Sequence, residues 1–206
     1  MKRRGVLLDR DGTLIDFVRD AELGLVTPAF HPSQLRFLPG VLAGLGELVA
    51  SGYVLALATN QPGAAKGELS RAAIEATSSA LVERLRAEGL PIAAMRICLH
   101  HPEGGDGGDA SLVARCGCRK PEPGMFLELL SELGLDAASS WAVGDTPTDV
   151  LAAQRAGLRS ALVAPIGRCE LCPMRDQPDL GARPTLHRAR FDELVRAMLE
   201  LDASRP

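Results

Sequence analysis

Asp9 and Asp11 stand at the end of the apolar run Val6-Leu7-Leu8, and Gly12-Thr13 follows at once. Strand side chains alternate between faces, so two carboxylates in this spacing can meet at the carboxyl end of a buried strand. One can attack an electrophile while the other moves protons. A surface turn rich in Asp has the same local pattern, so the pair gains weight only from what lies further along. Two more apolar runs end in polar clusters: 53–58 stops at Thr59-Asn60-Gln61, and Trp141-Ala142-Val143 stops at Gly144-Asp145, with Asp149 just beyond. Lys120 adds a cation immediately before a helical stretch. Carboxylates, a hydroxyl, an amide and an ammonium suit a phosphate ester with a hard divalent cation. Mg²⁺ prefers such oxygen ligands, commonly one or two carboxylates completed by phosphate and water.

These groups converge only if the chain alternates strands and helices. Pro39-Gly40 opens a helix that ends at Ser51-Gly52, a longer helix spans about 70–88, a strand lies near 95–99 and another helix runs over 123–133. After the polar cluster that ends at Asp149, a helix to Ala156 and a strand over 160–164 follow, the latter the last strand expected, and 191–201 closes as an amphipathic helix. The stretch 16–37 reads as a loop or small hairpin, and 168–188 as irregular. This order predicts an α/β protein of 206 residues, one domain, with helices on both faces of a mainly parallel sheet. In open parallel sheets the carboxyl ends of the strands line the ligand crevice, where the polar clusters would gather.

Cys98-x-His100 and Cys116-x-Cys118 supply three sulfurs and an imidazole, a ligand set for a closed tetrahedral Zn²⁺ site. Such a metal would fasten the Gly-rich segment about 98–118, which leads directly to Arg119-Lys120. His101 is an alternative to His100, although the latter shares a side with Cys98 in an extended segment. Cys169-x-x-Cys172 has ligand spacing without a nearby second pair and receives no role. Five cysteines with four in close pairs point to metal ligands in a reducing compartment, so a cytoplasmic location is expected. A net charge of −3 with one Trp, one Tyr and five Phe argues against nucleic-acid binding. No apolar stretch has membrane-spanning length, and the apolar run before Asp9 is too short for a signal core.

Asp9-x-Asp11-Gly12-Thr13, Thr59-Asn60, Lys120-Pro121 and Gly144-Asp145-x-x-x-Asp149 resemble, in order, the four motifs of haloacid-dehalogenase-like phosphatases. The resemblance covers about residues 5 to 165 and implies the Rossmann-like fold of that family. It implies that Asp9 forms an aspartyl-phosphate and that Asp11 protonates the leaving oxygen and later activates water. It further implies that Thr59 and Lys120 hold phosphoryl oxygens, and that Asp9, the Asp11 carbonyl and Asp145 bind Mg²⁺. Asp149 either orders water on the cation or caps the following helix.

With Thr59-Asn60-Gln61, Cys98-x-His100-His101-Pro102-Glu103-Gly104 and Cys116-x-Cys118-Arg119-Lys120-Pro121, the chain resembles the zinc-loop branch containing heptose-bisphosphate and histidinol-phosphate phosphatases. That likeness implies substrate contacts from Phe17, Val18, Arg19, Asp20, Asn60, Gln61 and Arg119. The chain departs from the heptose enzymes at Asp16, Pro62, Lys66 and Thr146, positions that bear on the sugar. The 15-residue gap between His100 and Cys116 looks longer than in the histidinol-phosphate relatives, so within the resemblance it favours the heptose side. The expectation is a small sugar phosphate as substrate, Mg²⁺ for catalysis, structural Zn²⁺, a minimal cap and a monomer. Two competing readings are a zinc-stabilised binding module without catalysis, which needs neither Asp9 nor Asp11, and a nucleic-acid 3′-phosphatase, which the acidic charge disfavours.

Overall fold

A computed structural model describes residues 3–22, 24–164 and 181–204. Strand β1 (Gly5–Leu8) is buried along its whole length and lies at the heart of a six-stranded sheet. Its neighbours are β4 (Val54–Asn60) and β6 (Trp141–Gly144); β5 (Ile92–Cys98) flanks β4, and β7 (Arg159–Val163) flanks β6. The far edge is β8 (Leu186–Arg188), and every pairing in this sheet is parallel. β8 lies inside the stretch expected to be irregular, and β7 is therefore not the last strand. Three residues against a ready-made edge carry too little periodicity to be read from sequence. Cys169 and Cys172 lie outside the described residues.

The alternation of β1 side chains divides the core in two. Val6 and Leu8 face a large apolar layer with Leu45 and Leu48 of α1 (Val41–Ala50), Leu81 and Leu85 of α2 (Arg71–Ala87), and Leu194 and Met198 of α5 (Phe191–Ala203). Leu7 faces the other way, with Ala56, Ala58 and Ala142, onto Phe126 and Leu129 of α3 (Gly124–Leu133) and Ala152 and Ala153 of α4 (Pro147–Arg155). Alanines stand on both sides where α4 meets the sheet, whereas α3 fills its part of the layer with Phe126 and Leu129. The expected helices on both faces are thus present, and both layers fix the ends of the strands.

Local signals set the helix ends. The Ser70 side chain accepts from the Ala73 amide and starts α2, while Gly134 at φ 60° closes α3. The stretch after β1 forms a short antiparallel hairpin, β2 (Val18–Asp20) with β3 (Leu25–Thr27), which is a minimal cap. No helix among the described residues is long and apolar enough to cross a membrane.

Candidate active site

β1, β4 and β6 deliver Asp9, Thr59 and Asp145 to one end of the sheet. The Asp9 amide still donates to the Val143 carbonyl at 2.9 Å, so the chain keeps the parallel register one residue past the strand. It then turns, with Leu14 and Ile15 amides donating to the Arg10 carbonyl. Gly12 sits in this turn at φ 76°, and a Cβ there would stand 2.2 Å from Asp145 Oδ2. Glycine is needed on both counts: the left-handed backbone and the close approach of the carboxylate. Thr13 Oγ1 donates to Asp145 Oδ1 at 3.4 Å, a long bond across the same gap.

Lys120 is the cation of this cluster. Its ammonium is buried and donates to Asp9 Oδ1 at 2.7 Å, Asp149 Oδ1 at 2.5 Å and the Ala58 carbonyl at 2.9 Å, using all three hydrogens. Asn60 holds the main chain at that position, its Nδ2 donating to the Lys120 carbonyl and its Oδ1 accepting from the Lys120 amide. Asp149 uses its other oxygen to accept from the Thr146 amide and hydroxyl. The helix-cap role open from sequence is therefore filled, and an ion pair with Lys120 stands beside it. Gly144 makes this possible, since a Cβ there would lie 2.2 Å from Asp149 Cγ.

Carboxylate oxygens of Asp9, Asp145 and Asp149 lie within 4.8 Å of one another. Ionised together they outnumber the one ammonium, and the energetic trace is plain. Burial, partly offset by Lys120 and reinforced by Asp149 and Asp11, pushes the Asp9 pKa up to about 6. Burial with repulsion from Asp9 and Asp149 raises that of Asp145 well above the usual carboxylate range. For Lys120 burial opposes the charge, but Asp149 and Asp9 outweigh it and the pKa rises. A hard cation between these oxygens would relieve the surplus negative charge, so the donor set fits Mg²⁺.

Asp11 departs from the simple strand-alternation picture. β1 ends at Leu8, so Asp11 belongs to the turn, and its carboxylate is held by Arg10 and Gln61 instead of joining the three that converge. Arg10 is buried and was not singled out from sequence; an arginine between two aspartates reads as a solvated charge until its burial is known. Gln61, expected against substrate, is 4% exposed with its amide bonded to Asp11, Thr59 and Arg10. Asn60 likewise spends its amide on Lys120. Phe17 to Asp20 enter the hairpin, where Arg19 pairs with Asp16 at 3.0 Å.

The second cluster stands at the end of β5. Sγ of Cys118 lies 3.2 Å from Cys98 and Cys116 sulfurs and 3.4 Å from His100 Nδ1; Cys98 to Cys116 is 3.7 Å and Cys98 to His100 is 3.8 Å. The thiols are free, and three sulfurs with one imidazole are a donor set that fits Zn²⁺, although two sulfur pairs lie inside the edge of about 3.8 Å that Zn–S bonds of about 2.3 Å give a tetrahedron. His101 turns away and accepts from the Glu103 and Gly104 amides. Arg119 donates to the His100 carbonyl at 3.2 Å, tying the residue before Lys120 to the cluster.

A family model described as HAD-hydrolase-like matches residues 117–180. A D-glycero-beta-D-manno-heptose-1,7-bisphosphate 7-phosphatase of Haemophilus ducreyi is 32% identical over 181 residues, 87% of this chain and 93% of that protein. The chain belongs to the haloacid-dehalogenase-like phosphatases. An enzyme of the same name from Rhodopseudomonas palustris is 37% identical over 76% of this chain and 81% of its own. Among solved structures, the D,D-heptose 1,7-bisphosphate phosphatase of B. bronchiseptica, complexed with magnesium and phosphate, superposes with a TM-score of 0.71. It is 28% identical and covers 96% of this chain and 99% of its own. As a member of this family the chain is a phosphoric monoester hydrolase.

Proposed function

We propose that this enzyme removes the C7 phosphate of D-glycero-D-manno-heptose 1,7-bisphosphate through an aspartyl-phosphate on Asp9. The observation that carries the reading is the Lys120 ammonium bridging Asp9 and Asp149 beside Asp145, in a chain that aligns with nearly all of the H. ducreyi enzyme. Phosphate monoesters hydrolyse so slowly in water that roughly 20 kcal/mol or more of barrier must be removed. Covalent transfer divides that task. An Asp9 oxygen bonds to phosphorus as the bond to the sugar oxygen breaks, and Asp11 gives its proton to that oxygen. Asp11 then takes a proton from water, whose oxygen bonds to phosphorus as the Asp9–phosphorus bond breaks, and inorganic phosphate leaves. Thr59 donates a hydrogen bond to a phosphoryl oxygen, and Lys120 offsets charge between two anions that would otherwise repel.

Asp9, Asp145 and the main-chain carbonyl of Asp11 are the residues that would hold Mg²⁺, while Asp149 pairs with Lys120 beside them. When bound, the ion neutralises charge developing on the transferred phosphoryl group. Cys98, His100, Cys116 and Cys118 hold structural Zn²⁺, which steadies the segment carrying Arg119 and Lys120. A reducing cytoplasm, which keeps such thiols free, is the proposed location, with a single compact domain acting as a monomer.

The remote phosphate of a bisphosphate needs a cation other than Lys120, and Arg119 is the proposed one. Turnover of the heptose bisphosphate, a simple monophosphate and histidinol phosphate tests this. The expected result is highest kcat/KM for the bisphosphate, with Arg119→Ala raising its KM far more than that of the monophosphate. Higher kcat/KM for histidinol phosphate overturns the substrate.

A further inference from the structure

Gln61 bonds to three groups of the site at once. One Nε2 hydrogen goes to Asp11 Oδ2 at 2.6 Å and the other to Thr59 Oγ1 at 3.0 Å, while Oε1 accepts from Arg10 Nη2 at 3.0 Å. Both amide hydrogens are used, and the opposite orientation of the amide would set Oε1 against a carboxylate and Nε2 against a guanidinium. Arg10 is in turn immobile. Its Nε and Nη2 grip both Asp11 oxygens at 2.9 and 3.2 Å, Nη1 donates to Ser78 Oγ in α2 at 2.9 Å, and Nη2 also reaches the Ala29 carbonyl at 3.1 Å. At 1% exposure the guanidinium cannot exchange these partners for water.

We propose that Gln61, anchored by Arg10, is the positioning residue that sets the proton-transfer carboxylate of Asp11 and the hydroxyl of Thr59 as one unit. The inference deepens the reading above and rests on its role for Asp11. Asp11 Oδ2 accepts from two donors and Oδ1 from one, so Oδ1 is the oxygen left to exchange a proton with the leaving group. The Thr59 hydroxyl has a single hydrogen and accepts from Gln61, which leaves that hydrogen to be donated to an anion in the crevice. A glutamine that touched substrate would leave part of its amide facing the crevice. This one spends all of it inward, on the groups that carry the reaction.

The test is single-turnover release of the leaving group from an alkyl phosphate, which needs a proton on its oxygen, and from p-nitrophenyl phosphate, which does not. Gln61→Met keeps the volume and removes the hydrogen bonds. It is expected to slow the alkyl ester by about 10- to 100-fold more than the aryl ester, with little change in KM. Arg10→Lys keeps the charge and loses the two-point grip; it carries the same expectation at a smaller size and serves if the methionine variant does not fold. Equal losses on both esters, or a rise in KM alone, overturn the inference. Asp11→Asn run alongside separates the two levels. If it shows the leaving-group dependence and the Gln61 variant does not, the positioning role fails by itself; if it shows none, the role of Asp11 fails first.

Discussion

Aspartates at opposite ends of one sheet have opposite environments. At the carboxyl ends of the strands, Asp9, Asp145 and Asp149 share one ammonium, and burial and mutual repulsion raise the pKa values of Asp9 and Asp145. At the amino ends, Asp202 of α5 accepts from Arg159 at the start of β7, from Tyr53 just before β4 and from Trp141 Nε1, at 3.2 Å, at the start of β6. Burial opposes charge on Asp202 too, but these donors outweigh it and its pKa falls. Arg4 and Arg159 stack over the Tyr53 and Trp141 rings, 4.2 and 4.1 Å from their centroids. A carboxylate with surplus donors is a clasp for the C-terminal helix. Carboxylates with too few keep raised pKa values, and the proposed cation would relieve that surplus charge.

The widest separation between the two ends should come from replacing Asp9. Asp9→Asn is expected to lower turnover at least about 10⁴-fold and to abolish trapping of a phosphoenzyme, while the Tm of metal-free protein at pH 7 stays level or rises. A phosphoenzyme trapped at normal yield in this variant would sink the nucleophile assignment. Asp202→Asn should do the reverse. Losing the charge partner of a largely buried Arg159 costs about 3 kcal/mol of stability in urea titration, and kcat per folded molecule is unchanged. Full stability in that variant would mean the clasp contributes nothing.

A smaller effect is expected from the cysteine cluster, which touches neither end directly. Protein purified without chelator should contain about one zinc per chain. Cys116→Ser should lose it and lower activity by about tenfold, through looser placement of Lys120 and with Mg²⁺ still required. Metal analysis that finds no zinc in the parent protein would count against the site.

The smallest effect concerns pH. Carboxylates whose folded pKa is raised contribute stability that is complete below about 3.8, the ordinary Asp value, and is lost as pH rises through the folded value, about 6 for Asp9. Added Mg²⁺ should therefore raise the Tm of metal-free enzyme more at pH 7.5 than at pH 5, by a few degrees. Asp202 has the opposite sign: its contribution is present above the ordinary Asp value and is lost only as pH falls through its lowered one. It should add nothing to the difference between those two pH values. An equal Mg²⁺ shift at both would remove the link between the raised pKa values and the cation.

Much of the upper end was legible in the chain, because the features that create it are local. Apolar runs that stop at Asp9, Thr59 and Asp145 mark strands ending in a polar crevice, and Ser70 and Gly134 mark helix ends within a few residues. The Cys98, His100, Cys116 and Cys118 set was legible too, since its chemistry lies in residue type and short spacing. β8 was not, because a short edge strand is defined by the neighbour it docks on.

What tertiary structure alone decided is which charge meets which. Asp149 capping its own helix follows from adjacent residues, whereas its ion pair with Lys120 needs two segments 29 residues apart to close over the end of β4. Arg10 and Gln61 are ordinary polar residues in sequence, and only burial turns them into fixed partners of Asp11, because a buried donor or acceptor left without a partner costs more than the ordering it requires. The same holds for Asp202, whose partner Tyr53 is 149 residues away. The chain dictates strands, caps and ligand types through local patterns. The electrostatic character of each aspartate is set by desolvation and long-range neighbours, and neither exists until the sheet has formed.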